Sequence, residues 1–125
     1  MAGLLWVALG GAIGSAARHG VNIGSERLLG NGFPWGTIIV NVAGSFLMGL
    51  IMAILSRKLA DSENAQLFLT TGILGGFTTF SAFSLDVFNL VQRGGNGSAM
   101  AYVLASVLLS IMAVFSGFAA LRVLA

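Results

Sequence analysis

The chain has 125 residues, of which 57% are hydrophobic and 8% are charged, and its mean hydropathy is +0.96. A soluble domain is usually about 45–50% apolar, so this composition predicts an integral membrane protein. The absence of cysteine excludes disulfides and thiolate metal sites, and a net charge of +2 is too small for a nucleic-acid-binding surface.

The first apolar segment extends from Gly3 to about Val21, long enough to cross a hydrocarbon core that needs ~20 residues. It lacks a basic start and a convincing cleavage site, so we expect a retained span rather than a signal peptide. Arg18 and His19 lie near its end, with His19 expected at the membrane interface. A close contact with another helix is predicted by its small residues, Gly10, Gly11, Gly14 and Ser15.

A polar segment, 22–32, separates the first span from the second, which we expect from Pro34 to about Leu55. Proline suits the first turn of a helix, and the tryptophan after it suits the membrane interface. One face of this span carries a polar stripe at every fourth position, formed by Thr37, Asn41 and Ser45. A hydroxyl can bond the carbonyl four residues back, whereas the amide of Asn41 requires a polar cavity or a partner helix.

The third apolar segment extends from about Ala65 to Gln92 and contains Gly75-Gly76-Phe77-Thr78-Thr79 near its middle. Adjacent glycines followed by β-branched residues favour a break in the helix at mid-membrane. Irregular backbone in a bilayer is tolerated where protein buries it or where it lines a polar cavity. Membrane proteins use such freed carbonyls to hold ions, so the break predicts an ion site.

Two phenylalanines and a carboxylate follow the break. Phe80 and Phe83 are three residues apart, a spacing that usually indicates packing. Aromatic ring edges are electropositive, however, and in a narrow pore they could face an anion. An intramembrane carboxylate is costly, so Asp86 is either functional or placed near the interface. The sequence leaves both alternatives open.

The fourth span is expected from Ala99 to about Leu121, after a flexible turn at 94–98. It carries a second polar stripe, formed by Tyr102, Ser106 and Ser110. Four spans joined by short loops leave no room for a soluble domain. The predicted fold is therefore all-α, a single four-helix transmembrane domain over residues 1–125.

The six basic residues are divided equally between the two sides of this predicted bundle. One side holds Arg57, Lys58 and Arg122, and the other holds Arg18, Arg27 and Arg93. An excess of Lys and Arg on one side sets the orientation of a membrane protein, so this balance predicts insertion in both orientations and an antiparallel, dual-topology homodimer. The alternative is a single topology fixed by weaker signals.

The residues around the break carry a resemblance to a known family. The run Gly75-Gly76-Phe77-Thr78-Thr79-Phe80-Ser81-Ala82-Phe83-Ser84, with Asn41, Gly44 and Arg18 in the earlier spans, resembles the Fluc (CrcB) family of fluoride channels. The likeness extends over the whole chain. Two positions depart from the family pattern: Ala82, where threonine is common, and Asp86, where glutamate is expected. Either departure could alter the conduction rate.

The resemblance implies an antiparallel homodimer in the plasma (inner) membrane, with two pores that export fluoride passively. It also implies a central structural sodium ion, held by the backbone carbonyls of Gly75 and Thr78 from both subunits. Phe80 and Phe83 would be the pore aromatics, while Asn41, at the pore, and Arg18 would belong to the aqueous vestibule. The remaining polar track would comprise Thr37, Ser81, Tyr102, Ser106 and Ser110.

Other functional classes fit the sequence less well. A small multidrug transporter shares the size and the antiparallel dimer, but its proton coupling requires a glutamate in the first span, and no carboxylate precedes Glu26. A membrane scaffold would explain the small-residue faces but not the polar stripes. An enzyme is not expected, because the one histidine, His19, has only Glu26 within metal-ligand spacing.

Overall fold

A computed structural model describes residues 2–56 and 62–124, and these parts of the chain are almost entirely helical. Arg57 and Lys58, which entered the charge balance, lie outside the described residues. In chain order the helices are α1 (Ala2–Leu29), α2 (Trp35–Ser56), α3 (Glu63–Leu67), a π-helix (Phe68–Leu74), α4 (Gly75–Phe77), α5 (Phe80–Gln92) and α6 (Asn96–Leu124).

Among the described residues, three helical segments are long and apolar enough to cross a membrane. They are α2, the bent segment Glu63–Gln92, and α6, close to the predicted second, third and fourth spans. The first helix, α1, has 28 residues and is not among the three. The all-α membrane class is confirmed, whereas the first span, and with it the count of four, stays a prediction.

Two boundaries differ from those predicted. The first helix continues past Val21 to Leu29, through residues expected to be a polar loop, because neither proline nor a positive φ interrupts it before Gly30. Gly30 has a φ of +79° and donates its N–H to the Glu26 carbonyl at 2.9 Å, which ends the helix. The last helix begins at Asn96, inside the predicted turn, because the reversal is completed around Gly94, whose φ is +80°.

Helix packing relies on glycines at the contacts. Along α1, a Cβ on Gly10 would lie 2.5 Å from the Phe68 carbonyl oxygen, and one on Gly14 would collide with the Ile73 carbonyl. This confirms the close helix contact predicted for the small residues of the first span. The contact between α2 and α6 has the same character, since a Cβ on Gly49 would collide with the carbonyl of Val114.

The third segment breaks at Thr78 and Thr79 rather than at the glycines. Gly75 has helical angles, φ −63° and ψ −38°, whereas the two threonines are extended, with ψ values of 157° and 125°. Gly76 serves a different purpose, because a Cβ there would lie 2.7 Å from the Gly11 carbonyl oxygen of α1. The predicted break is therefore present within the predicted run, at its β-branched threonines, while Gly76 allows close packing and the helix ends after the glycines.

The core beside the break lies between α5 and α6. It comprises Phe83, Leu90, Ala99 and the fully buried Tyr102. Phe33, from the turn between α1 and α2, places its ring edge-on to the Tyr102 ring at a centroid distance of 5.5 Å. This packing fixes the position of the tyrosine hydroxyl, which belongs to the polar site.

Candidate functional site

The break redirects two backbone amides, and each redirected amide leaves one carbonyl without its helical donor. In a continuous helix the Thr79 N–H would donate to the Gly75 carbonyl, but here it donates to Oδ1 of Asn41 at 2.8 Å. The Ala82 N–H, which a helix would direct to the Thr78 carbonyl, donates to the Thr79 hydroxyl at 3.1 Å. Gly75 and Thr78, the two residues predicted to offer carbonyls to sodium, are thus the two that lose these helical donors.

Asn41 bonds both backbone groups of Thr79. Besides accepting from the N–H, it donates Nδ2 to the Thr79 carbonyl at 3.1 Å. Gly44, one turn further along α2, leaves room for this approach, because a Cβ there would collide with the Thr78 methyl carbon. Two alternatives were predicted for the Asn41 amide, a polar cavity and a partner helix. It has both kinds of surroundings, because it bonds the third segment and also lines a cavity beside the break.

Arg18 reaches the same break from α1. Its Nε donates to the Gly76 carbonyl at 3.0 Å, and the residue is half-buried. This carbonyl lies one residue from Gly75, so the guanidinium supplies positive charge close to the freed carbonyls. His19, the next residue, is exposed. Sequence reasoning could not find the bond between Arg18 and Gly76, because the two residues are 58 positions apart.

The larger cavity, of about 470 Å³, opens beside the break and brings the two predicted stripes together. Its polar lining comes from α2, the break and α6, namely Asn41, Ser45, Thr78, Thr79, Ser106 and Ser110. The Ser106 and Ser110 hydroxyls are buried without a hydrogen-bond partner among the described residues. An unpaired buried polar group costs about 1–3 kcal/mol, so the cavity favours a polar occupant that accepts from these hydroxyls.

The two phenylalanines border this cavity but differ in burial. Phe83 is 8% exposed and packs on the Tyr102 ring at 5.3 Å, whereas Phe80 is 78% exposed. Their ring centroids are 5.5 Å apart, with an interplanar angle of 47°. Packing within this chain therefore accounts for Phe83 and leaves Phe80 largely uncovered.

Asp86 lies inside the bundle and joins the two stripes at their other end. Its Oδ2 accepts hydrogen bonds from the Thr37 hydroxyl at 2.6 Å and from the Tyr102 hydroxyl at 2.8 Å. Thr37 and Tyr102 are buried, and Asp86 is half-buried. Sequence reasoning missed this triad, because spacing within one span does not show which residues of different spans meet.

A second cavity, of about 200 Å³, adjoins the triad at the end of the bundle that holds the turns before α2 and before α6. Thr37 and Asp86 line it together with Glu26 and Arg93.

Ser81, also predicted for the polar track, is exposed, and its hydroxyl lies 3.4 Å from that of Thr79. The structure thus places Asn41, Ser106 and Ser110 of the predicted track at the larger cavity and Thr37 and Tyr102 in the Asp86 triad, and it leaves Ser81 outside both.

Comparisons with known proteins agree over nearly the whole chain. The family model described as "CrcB-like protein, Camphor Resistance (CrcB)" matches residues 5–118. A protein of Agrobacterium fabrum (strain C58) named fluoride-specific ion channel FluC is 53% identical over 119 residues, 95% of each chain. Proteins with the same name from Chelativorans sp. (strain BNC1) and Cereibacter sphaeroides (strain ATCC 17029) are 57% and 56% identical, covering 91% and 95% of this chain and 91% and 94% of their own.

Proposed function

The chain belongs to the CrcB-like family, and from this membership we propose that it is a fluoride-selective channel. It is a multi-pass protein of the inner membrane and not an enzyme, as predicted from its sequence. The observation that carries the proposal is the larger cavity, where the unpartnered hydroxyls of Ser106 and Ser110 lie beside Phe80 and Phe83.

The lining chemistry suits a small, strongly hydrated anion. Fluoride must exchange its water for several hydrogen-bond donors at once, and a pore must bind it weakly enough to release it. Among the described residues, the larger cavity is lined by hydroxyls, the Asn41 amide, two aromatic rings and four apolar side chains, Met48, Val107, Ile111 and Val114, and by no charged side chain. Donors and ring edges without a full charge would replace the water without trapping the ion. Flow would then be passive, from a fluoride-loaded cytoplasm down the electrochemical gradient.

We further propose that two chains in opposite orientations form a dimer with two pores, and that α1 is the first of four spans in each chain. Phe80 is exposed beside a cavity that carries polar groups, which lipid would cover poorly, and a second copy in that place would cover both. The nearly balanced basic residues support the antiparallel arrangement.

The freed carbonyls fit a structural sodium ion at the dimer axis. Gly75 and Thr78 each offer an oxygen that has lost its helical donor, and two chains would offer four. Neutral oxygens without a carboxylate suit a monovalent cation rather than calcium or magnesium. Such an ion would supply positive charge that offsets the desolvation of fluoride without blocking its path.

Fluoride efflux from liposomes that contain the purified protein tests the proposal. We expect an outward fluoride gradient to discharge rapidly while a chloride gradient of the same size is retained, because the cavity offers donors suited to a small anion. Liposomes without protein give the leak to be subtracted. Comparable chloride flux would reject fluoride selectivity, and a fluoride flux that required a counter-gradient of protons or cations would favour a transporter.

A further inference from the structure

We infer that Asn41 is a positioning residue for the cation site, because it holds the Thr79 N–H and so keeps the Gly75 carbonyl free. The inference rests on the proposed sodium site and adds to it a cause for the freed carbonyl. Asn41, whose amide also lines the larger cavity, would then have a second role, which is to hold the backbone of the third segment at Thr79.

The Asn41 side chain bonds both the N–H and the carbonyl of Thr79. An amide side chain offers an acceptor and a donor about as far apart as the groups of an extended residue, and Thr79 is extended, with φ −156° and ψ 125°. Asn41 accepts from the Thr79 N–H at 2.8 Å and donates to its carbonyl at 3.1 Å. A hydroxyl or an apolar side chain cannot make both bonds from this position.

The alternative partner of the Thr79 N–H is the Gly75 carbonyl, four residues back. An unpaired N–H within the bilayer is costly, so an amide that loses one partner takes the nearest other one. If Thr78 and Thr79 took helical angles, the Thr79 N–H would bond the Gly75 carbonyl. The Gly75 oxygen would then be occupied. Asn41 therefore selects the broken form of the third segment over the continuous one.

Other side chains complete the assignment of carbonyls at the break. Leu74 accepts from both the N–H and the hydroxyl of Thr78, at 3.0 Å and 2.8 Å, and Gly76 accepts from Arg18 at 3.0 Å. With Thr79 bonded by Asn41, these bonds occupy the carbonyls on either side of Gly75 and the one after Thr78. None of these bonds occupies the Gly75 or Thr78 oxygen, the two proposed above for the cation.

The inference predicts that sodium affinity depends on Asn41. The purified full-length protein in detergent is unfolded by heat at a series of sodium chloride concentrations, with N-methyl-D-glucamine chloride keeping the ionic strength constant. Because a ligand that binds only the folded protein raises its melting temperature, the rise gives the sodium midpoint. We expect Asn41→Leu to raise that midpoint by about 10- to 100-fold, the loss typical when a group that orients a metal ligand is removed.

The control is Val40→Ala on the neighbouring, fully buried position of α2. It should lower the melting temperature at every sodium concentration and leave the midpoint within twofold of the parent, because it loses packing but no bond to the break. Asn41→Ser, which stays polar but cannot reach both Thr79 groups, should also raise the midpoint and decides the matter if Asn41→Leu does not fold.

An Asn41→Leu or Asn41→Ser midpoint within twofold of the parent would overturn the inference. A parent protein whose melting temperature does not respond to sodium would overturn the cation site and the inference with it. That second result leaves the fluoride proposal to the efflux measurement, in which chloride retention is read separately. The two failures are therefore distinguishable.

Discussion

Phe80 and Phe83 are neighbouring, chemically identical side chains that differ in burial. Phe83 is anchored in the core against Tyr102, whereas Phe80 presents most of its ring outside the single chain. Sequence spacing could predict that the two rings are neighbours, and their centroids are 5.5 Å apart. It could not predict which ring is buried, because that depends on where α6 packs.

Phe80→Ile tests whether the exposed ring acts in conduction. Isoleucine keeps bulk and apolarity but removes the electropositive ring edge, so we expect fluoride efflux to fall at least tenfold, about 1.4 kcal/mol in barrier height. The melting temperature should change little, because the side chain is 78% exposed in one chain. Efflux from liposomes and thermal unfolding in detergent measure the two effects.

Phe83→Ile is the matched variant for stability, because Phe83 lies in the core as well as beside the cavity. Its ring is 8% exposed, so the same substitution should cost roughly 1–2 kcal/mol of stability through imperfect repacking. If Phe80→Ile conducts normally in a folded protein, the ring is a packing element after all. Because both rings border the cavity, the pair is compared in thermal unfolding, where a stability loss confined to Phe83→Ile shows that a fall in efflux with Phe80→Ile is not caused by unfolding.

The polar residues were predictable as stripes but not as partners. The four-residue spacing of Thr37 and Asn41 places them on one face of α2, and the same spacing places Tyr102 and Ser106 on one face of α6. That Thr37 and Tyr102 both donate to Asp86 could not be predicted, since the bond joins three helices. Local periodicity gives the face of a helix, and only packing gives the neighbour.

At the scale of the elements, the broken third segment was predicted from composition, but its mechanism was not. Propensity alone makes adjacent glycines the weakest point of a helix. The close approach of α1 gives Gly76 a packing role, and Gly75 keeps helical angles. The break instead falls where bonds from outside the helix, above all those of Asn41, replace the helical hydrogen bonds that the extended residues lose. Such compensation by a residue 38 positions away cannot be found from local sequence.

Gly10→Ala and Gly11→Ala, adjacent positions of α1, test the glycine contact. A Cβ on Gly10 would lie 2.5 Å from the Phe68 carbonyl oxygen, whereas one on Gly11 has no atom within 4 Å. We expect Gly10→Ala to destabilise the protein by about 1–3 kcal/mol, because the backbone of the π-helix must move. Gly11→Ala should be neutral, or stabilising by up to about 1 kcal/mol through helix propensity. Thermal unfolding of both variants measures the difference, and equal melting temperatures would contradict the packing account.

At the scale of the whole molecule, the structure changes the charge argument for topology. Arg18 was counted with the turns at one end, but it bonds Gly76 at the break. It lies eleven residues before the end of α1 at Leu29, roughly 16 Å along the helix axis. Two basic residues, Arg27 and Arg93, remain at that end. The other side has three: Arg122, and the pair Arg57 and Lys58, of which only the pair lies outside the described residues. The difference between the two sides becomes a single charge.

A bias of one charge still predicts insertion in both orientations, because topology follows a clear excess of Lys and Arg on one side. A single cysteine in place of Asn64, an exposed position of α3, adds a label site to a chain that has no cysteine of its own. A membrane-impermeant thiol reagent should label about half of the copies in intact cells and nearly all copies once the membrane is opened. Labelling confined to one side would mean that every copy inserts the same way. The antiparallel dimer, and with it the meeting of two breaks around one cation, would then have to be abandoned.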